Sequence, residues 1–141
     1  MTYKQFVAMK AFILFEDKVL LIKESSKYEE GTNKGKFDLV GGRIKPGEKF
    51  DLALIREAKE ETNLDIQIKR PLMVSEWRPV VKGEPWQVIG TYFICSTKNK
   101  EVILSKDHSE YLWIDPKSYK SYDLIDGLEE VFEEFLKIHE L

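Results

Sequence analysis

Residues 41–64 read GGRIKPGEKFDLALIREAKEETNL, and the pattern of this segment predicts the central helix of the chain. Between Lys49 and Thr62 it contains neither Gly nor Pro, and its apolar residues recur at helical spacing. Asn63 follows at the position where a residue in the left-handed conformation commonly ends a helix. The pattern therefore predicts a helix over 49–62, entered from the glycine pair Gly41-Gly42.

Apolar stretches on either side of this helix predict β-strands. Short runs of apolar and β-branched residues between turn residues are typical of buried strands. The predicted strands cover 6–15, 19–22, 37–40, 86–96, 102–104 and 111–114, with one or two more over 64–77. A polar loop is predicted over 25–36, and Asp123 is predicted to cap a closing amphipathic helix that runs to about His139. Strands around one central and one terminal helix indicate a mixed α/β sandwich.

Length and charge narrow the class of protein. The chain has 141 residues, of which 43% are hydrophobic and 33% are charged, and its net charge is -3. This length predicts a single domain over 1–141. The slightly acidic balance argues against a nucleic-acid polymer as partner, and no apolar run approaches the ~18 residues of a membrane span. The single cysteine, Cys95, fits the reducing cytoplasm. We expect a cytoplasmic monomer or homodimer that acts away from membranes.

The predicted central helix carries acidic residues on the same side as its apolar stripe. At about 100° per residue, Glu57 and Glu61 continue the stripe of Phe50 and Leu54, and Glu60 lies beside them. Acid-rich helices are more commonly solvated, but carboxylates turned inward repel one another and lose solvation. A divalent cation removes both penalties, and oxygen ligands without nearby Cys or His favour Mg²⁺ or Mn²⁺.

The residues before the helix fit a metal or phosphate site. Gly41 and Gly42 predict a bare backbone turn that can approach a metal or phosphate closely. The turn at 46–47 holds Glu48 near the start of the helix, where Arg56 is a natural partner for Glu48 or Glu60. Arg43 is a candidate phosphate ligand, although an ordinary surface charge is an equal alternative.

These positions together resemble the Nudix box of the Nudix hydrolases. The matching residues are Gly42, then Glu48 after five intervening residues, then Arg56-Glu57-Ala58-Lys59-Glu60-Glu61 after seven more. Asn63 stands where the box has a glycine, and Val40 stands where a proline is common, but neither change removes a carboxylate. The resemblance implies an α/β (α+β) fold of the Nudix type, an α/β/α sandwich with a mixed sheet, a central box helix and a C-terminal amphipathic helix.

The resemblance also implies Mg²⁺-dependent hydrolysis of a diphosphate bond in a nucleoside diphosphate derivative, a small-molecule substrate. It implies that Glu57 and Glu61 are the primary metal ligands, with Glu60 as a further ligand through water. The carbonyl of Gly41 is the implied backbone ligand, and Glu48 and Arg56 have an orienting role. Glu110 resembles the acid that many members place before a late strand, which makes it the candidate catalytic base.

The substrate is less well defined by the sequence. Trp77 and Arg78 precede Pro79 at the end of a predicted strand and are candidates for the rim of the substrate site, with Gly42 and Arg43 nearer the phosphates. Pro79 lies close to where many ADP-ribose pyrophosphatases of the family carry a proline, which favours ADP-ribose or a related nucleoside diphosphate sugar. Nucleoside triphosphates with oxidised purines and dinucleoside polyphosphates are the alternatives.

Two other classes of protein with the same fold are alternatives to a hydrolase. A nucleotide-sensing module without catalysis predicts the loss of at least one metal carboxylate, whereas all three acids of the box are present. Isopentenyl diphosphate isomerase needs a reactive cysteine and a longer chain, whereas Cys95 lies in an apolar strand that favours an inert core thiol.

Overall fold

The computed structural model describes residues 2–26 and 35–139 and places their eight strands in one mixed sheet. The strands are β1 (Lys4–Phe15), β2 (Lys18–Glu24), β3 (Phe37–Asp38), β4 (Val40–Arg43), β5 (Ile66–Trp77), β6 (Val80–Val81), β7 (Glu84–Thr97) and β8 (His108–Ile114). Helix α1 spans Phe50–Thr62, helix α2 spans Leu128–His139, and a 3₁₀ helix spans Pro116–Ser121.

Strand β1 organises the sheet. It pairs with β7 in parallel along 4–14, and its other edge is shared by two antiparallel partners, β4 along 8–11 and β2 along 14–15. The main strand order is β3-β2-β1-β7-β5, with β4 attached to β1, β6 to β7 and β8 to β2. The glycine-containing strand β4 is therefore held beside the centre of the sheet.

Each face of the sheet is covered by one helix. On the face that we call the α1 face, the buried residues include Ala53, Leu54 and Ala58 of α1 together with Met9, Ile13 and Leu20. On the opposite face, the α2 face, they include Leu128, Val131 and Phe132 of α2 together with Phe12 and Leu21. Successive residues of β1 and β2 alternate between the two cores, as the pleat of a strand requires. The predicted mixed α/β sandwich is confirmed.

The central helix ends where the sequence predicts. Asn63 adopts the left-handed conformation, with a φ of 62°, and its N–H donates to the Lys59 carbonyl. The Thr62 hydroxyl donates to the Ala58 carbonyl at 2.6 Å and accepts from the Leu64 N–H at 3.2 Å. The helix therefore ends at Thr62, with Asn63 in the left-handed position that glycine usually occupies at a helix C-terminus.

The strand predicted over 102–104 is wrong, and the reason bears on function. This segment runs past the end of α1, where Ile103 N–H donates to the Thr62 carbonyl and Ser105 N–H donates to the Glu61 carbonyl. The last carbonyls of a helix lack partners within the helix, so an extended segment that satisfies them gains hydrogen bonds without joining the sheet. The chain from 105 to 108 is consequently held close to Glu61.

Other boundaries also differ from prediction. Helix α2 begins at Leu128 and not near Asp123, because Leu124 forms a bridge with Phe37 and Gly127 has a φ of 86°. The region 64–77 contains one strand, β5, with register shifts around Pro71. Residues 27–34 of the predicted loop lie outside the described residues. Neither helix in the described part of the chain is long and apolar enough to cross a membrane.

Candidate functional site

A cleft of about 840 Å³ lies where β4 meets the acidic side of α1, and we call it the box cleft. Its walls are the N-terminal half of β1, the segment from 38 to 48, the acids of α1 and the segment before β8. Clefts of roughly 300–1,000 Å³ are typical of small-molecule sites. The predicted site residues that line it are Gly41, Gly42, Arg43, Glu48, Glu57, Glu60 and Glu61.

Glu57 and Glu61 are the two acids of α1 that turn toward the sheet. Their side chains are only 15% and 16% exposed, and they lie four residues apart on one helix face. Glu61 Oε1 accepts a hydrogen bond from Gly41 N–H at 2.7 Å. The Glu57 carboxylate lies directly against Gly42. The helix thus presents a carboxylate pair to the backbone of β4.

The two glycines lie within strand β4, so the predicted glycine turn is wrong. Gly41 is paired with Lys10 and Gly42 with Met9 of β1. A Cβ atom on Gly42 would lie 2.7 Å from the carboxyl carbon of Glu57, and one on Gly41, whose φ is 142°, would overlap the Met9 carbonyl oxygen. The missing side chains allow the carboxylates to approach the strand this closely.

Burial leaves the negative charge of this pair poorly compensated. Desolvation raises the pKa of Glu61 to about 8, although the charge of Lys10 and the hydrogen bond from Gly41 oppose the rise. Desolvation also raises the pKa of Glu57, against the opposing effect of Arg56. Carboxyl groups with this property are stabilised in their charged form by a nearby cation.

A buried lysine, Lys10, lines the same cleft as the carboxylate pair. Lys10 Nζ is 2.8 Å from Asp38 Oδ2, and the lysine side chain is only 8% exposed. Burial lowers the pKa of Lys10, but the charges of Asp38 and Glu61 and the Asp38 hydrogen bond raise it by more. The sequence analysis missed this pair; its signal was a charged residue within an apolar strand, which needs a buried partner.

Arg56 connects the loop before α1 to the acids of the helix. Its Nε and Nη2 donate to the two carboxylate oxygens of Glu48 at 2.6 and 2.9 Å, a bidentate pair. Its Nη1 donates to Glu57 at 3.0 Å and to Glu60 at 3.1 Å. Arg56 therefore fixes both the loop and the orientation of Glu57.

Glu60 does not join the inward pair. Its side chain is 56% exposed, because its position lies to the side of the helix and Arg56, four residues earlier, pairs with it. In residues 2–26 and 35–139, no three His, Cys, Asp or Glu side chains are arranged to hold a metal ion by themselves. The structure thus turns two box carboxylates, Glu57 and Glu61, toward the sheet and leaves Glu60 at the side of the helix.

Comparisons with known proteins identify the family. A family model described as NUDIX domain matches residues 4–135, most of the chain. The chain belongs to this family. The nucleoside triphosphatase NudI of Escherichia coli O1:K1 is similar to it, with 26% identity over 106 residues that cover 68% of this chain and 73% of that protein.

Solved structures share the fold. The MutT protein of Methanosarcina mazei Go1 matches with a TM-score of 0.87 and 24% identity over 100% of this chain and 99% of that chain. An ADP-ribose pyrophosphatase of Streptococcus suis 89-1591 matches with a TM-score of 0.63 and 18% identity over 91% and 90% of the two chains. The predicted Nudix-type fold and the Nudix hydrolase family are confirmed.

The residues of this Nudix chain fit a divalent cation. Nudix hydrolases generally depend on divalent metals, and the Glu57–Glu61 pair presents two largely buried carboxylates whose charged form is disfavoured by desolvation. Mg²⁺ in phosphate-processing sites is commonly held by one or two carboxylates together with substrate phosphates and water. Two inward carboxylates beside an open cleft match that donor set without a third acid.

The Arg56–Glu48 pair predicts an acid-sensitive fold. The hydrogen bonds from Arg56 and Lys45 N–H lower the pKa of Glu48 to about 2, from an ordinary value of 4.5. A folded-state pKa below the unfolded value gives stability that is present above the unfolded pKa and is lost as the pH falls through the folded one. We expect the free energy of unfolding to fall more steeply between pH 5 and pH 2 than in Glu48→Gln, as measured by urea denaturation. Parallel curves for the two proteins would contradict this.

Glu110, the expected base, lies on the face of the sheet opposite the box carboxylates. β8 contains an irregularity opposite Lys23 and Glu24, such that Lys23 pairs with Glu110 and Glu24 pairs with His108. Glu110 therefore turns toward the α2 face, where Lys23 Nζ lies 3.1 Å from its carboxylate. Glu110 is absent from the described lining of the box cleft, whereas His108 belongs to it.

His108 is the side chain that the β8 irregularity turns toward the carboxylates. Its Nε2 lies 3.9 Å from Glu61 Oε2 and its side chain is 13% exposed. Its Nδ1 is buried and has no hydrogen-bond partner among the described residues, and burial lowers the pKa of the ring. The sequence analysis did not single out His108, because nothing in the sequence reveals a strand irregularity.

This geometry predicts a large loss of activity for one substitution and almost none for another. His108→Ala should lower kcat/KM by roughly tenfold or more, since it removes a wall of the cleft beside Glu61. Glu110→Gln should change kcat/KM by no more than about twofold, because it breaks only a half-exposed ion pair on the other face. Steady-state kinetics with thermal melting as a folding control measures both. A larger loss for Glu110→Gln would restore Glu110 as the base.

Trp77 and Arg78 also lie away from the box cleft. The Trp77 ring packs over Gly90 on the α2 face, next to Tyr92. Arg78 donates to Glu76 at 2.7 Å, and its guanidinium lies 5.7 Å from the Tyr3 ring. The structure does not bring these two predicted rim residues to the carboxylates.

Proposed function

We propose that this chain hydrolyses a diphosphate bond in nucleoside triphosphates and related nucleoside diphosphate derivatives, with Mg²⁺ as cofactor and Mn²⁺ as a substitute. The observation that carries the proposal is the largely buried Glu57–Glu61 pair held against Gly41 and Gly42 in an open cleft. Such a pair serves no packing purpose, since burial works against its charge. Binding of a cation beside a diphosphate would explain why the pair is placed there.

In this proposal, Glu57 and Glu61 hold the cation, and the Gly41 carbonyl is the backbone ligand. When bound there, a divalent cation would neutralise charge on the diphosphate and lower the pKa of a nearby water. Gly41 N–H fixes Glu61, and Arg56 fixes Glu57 through a 3.0 Å hydrogen bond. Glu48 in turn holds Arg56, so its role is to position and not to contact substrate.

Nucleoside triphosphates are the favoured substrate class. The curated relative described above is named a nucleoside triphosphatase and covers two thirds of this chain. The feature that favoured ADP-ribose, Pro79, lies at the start of the β6 hairpin, where its carbonyl accepts from Trp86 N–H, and it is not among the residues that line the cleft. ADP-ribose and dinucleoside polyphosphates are outcomes of the test.

The test is incubation with Mg²⁺ and a nucleotide panel, followed by identification of the products. We expect nucleoside monophosphate and pyrophosphate from a nucleoside triphosphate, and no products after EDTA treatment until Mg²⁺ or Mn²⁺ is restored. AMP and ribose 5-phosphate from ADP-ribose alone would reassign the substrate within the same chemistry. Binding of nucleotides without any hydrolysis would contradict the proposal and favour a sensing module.

A further inference from the structure

A second feature of the box cleft is an arginine laid across two aromatic rings. The Arg43 guanidinium carbon is 4.6 Å from the centroid of Phe6 and 4.7 Å from that of Trp86. The two rings are 4.6 Å apart and inclined by 55°. We call this arrangement of Arg43 on Phe6 and Trp86 the arginine shelf. Contacts of this kind restrict the many rotamers of an arginine and leave its plane in one orientation.

The shelf lies apart from the carboxylate pair but within the same cleft. Side chains alternate along a strand, so Gly42, which faces Glu57, and Arg43 belong to opposite faces of β4. Arg43 is paired with Ala8, and its side chain extends along β1 toward Phe6. Both Phe6 and Arg43 line the box cleft, which is continuous with Glu57 and Glu61.

This placement suits a nucleobase better than a phosphate. The backbone of β4 separates the guanidinium from the carboxylates, where a cation and the diphosphate belong. Arg43 is an exposed residue whose guanidinium lies over two aromatic rings, and bases stack on guanidinium and aromatic planes in many nucleotide sites. Stacking is tolerant of base identity, because every base has a π-face.

We propose that the arginine shelf is the nucleobase subsite of the box cleft and that it recognises the base by stacking, without reading which base is present. The inference rests on the proposed function, because the same cleft must hold the phosphates. Arg43 is then a specificity-determining residue that distinguishes nucleotides from base-free phosphates.

The test compares ligands that differ only in the base. Isothermal titration in Mg²⁺ measures binding of AMP, GMP, CMP and UMP against ribose 5-phosphate. We expect the wild-type chain to bind all four nucleotides roughly tenfold or more tightly than ribose 5-phosphate. Arg43→Lys keeps the charge but removes the plane, so it should bring the nucleotides down to the level of ribose 5-phosphate and leave that ligand within about twofold.

The control is Arg70→Lys, an exposed arginine of edge strand β5 outside the described lining of the cleft, which should bind as the wild type does. Phe6→Leu should lose part of the preference for nucleotides. Equal weakening of nucleotides and ribose 5-phosphate by Arg43→Lys would make Arg43 a phosphate ligand and overturn the proposal. No effect on either ligand, or a strong preference for one base, would also overturn it. A chain that shows the expected binding but hydrolyses nothing would fail the proposed function alone.

Discussion

Replacing Glu61 by Gln is expected to lower kcat/KM by at least about a thousandfold, or about 4 kcal/mol of transition-state stabilisation. The amide keeps the size of the side chain and an oxygen that accepts from Gly41 N–H, but it removes the charge that holds the cation. The fold should survive, because burial opposes the charged form of Glu61 and a neutral group does not carry that penalty. Steady-state kinetics in saturating Mg²⁺ and thermal melting measure the two effects.

The matched control is Glu133→Gln, a solvent-exposed glutamate of α2 on the opposite side of the sheet. It changes the net charge by the same amount and should leave kcat/KM unchanged. Glu60→Gln is informative as well, since an acid that is half exposed and paired with Arg56 should matter far less than Glu61. Wild-type turnover in Glu61→Gln would refute the role of Glu61 as a metal ligand. A larger loss in Glu60→Gln than in Glu61→Gln would indicate that Glu60 is a metal ligand.

The parts of the fold set by local periodicity were predictable from the sequence. The helix from Phe50 to Thr62 follows from 3.6-residue spacing and from the tolerance of Asn63 for the left-handed conformation. The inward turn of Glu57 and Glu61 follows from the same spacing. The strand error at 102–104 has a different origin, because that segment bonds the end of α1 and only the tertiary structure brings the two together.

The parts of the site that depend on pairing between distant strands were not predictable. A single irregularity between β2 and β8 places Glu110 on one face of the sheet and His108 on the other. The regular alternation of side chains along a strand predicts the same face for both residues. The exposed position of Glu60 could not be predicted without the position of Arg56. Arg56 bonds four groups that come from three separate parts of the chain. The contact between Phe6 and Trp86 in the arginine shelf depends on the parallel register of β1 with β7, because the two residues are 80 positions apart in sequence.

Gly41→Ala is expected to destabilise the fold by about 3 kcal/mol, which corresponds to a fall of roughly 10 °C in Tm. Two independent costs add at this position. A φ of 142° lies in a region that L side chains rarely adopt, and a Cβ atom there would overlap the Met9 carbonyl of the central strand. Backbone of a central strand is less able to move than a flexible side chain, so the overlap is relieved by separating β4 from β1.

Gly47→Ala separates these two costs. Gly47 has a φ of 83°, also unfavourable for a side chain, but apart from its two chain neighbours no described residue has a heavy atom within 4 Å of the added Cβ. It should therefore lose only about 1 kcal/mol, from the backbone conformation alone. Similar losses for the two variants, measured by urea denaturation, would mean that β4 is free to shift away from Met9. The hydrogen bond from Gly41 to Glu61 would then not be a fixed feature of the site, and the close approach of α1 to β4 would lose its structural cause.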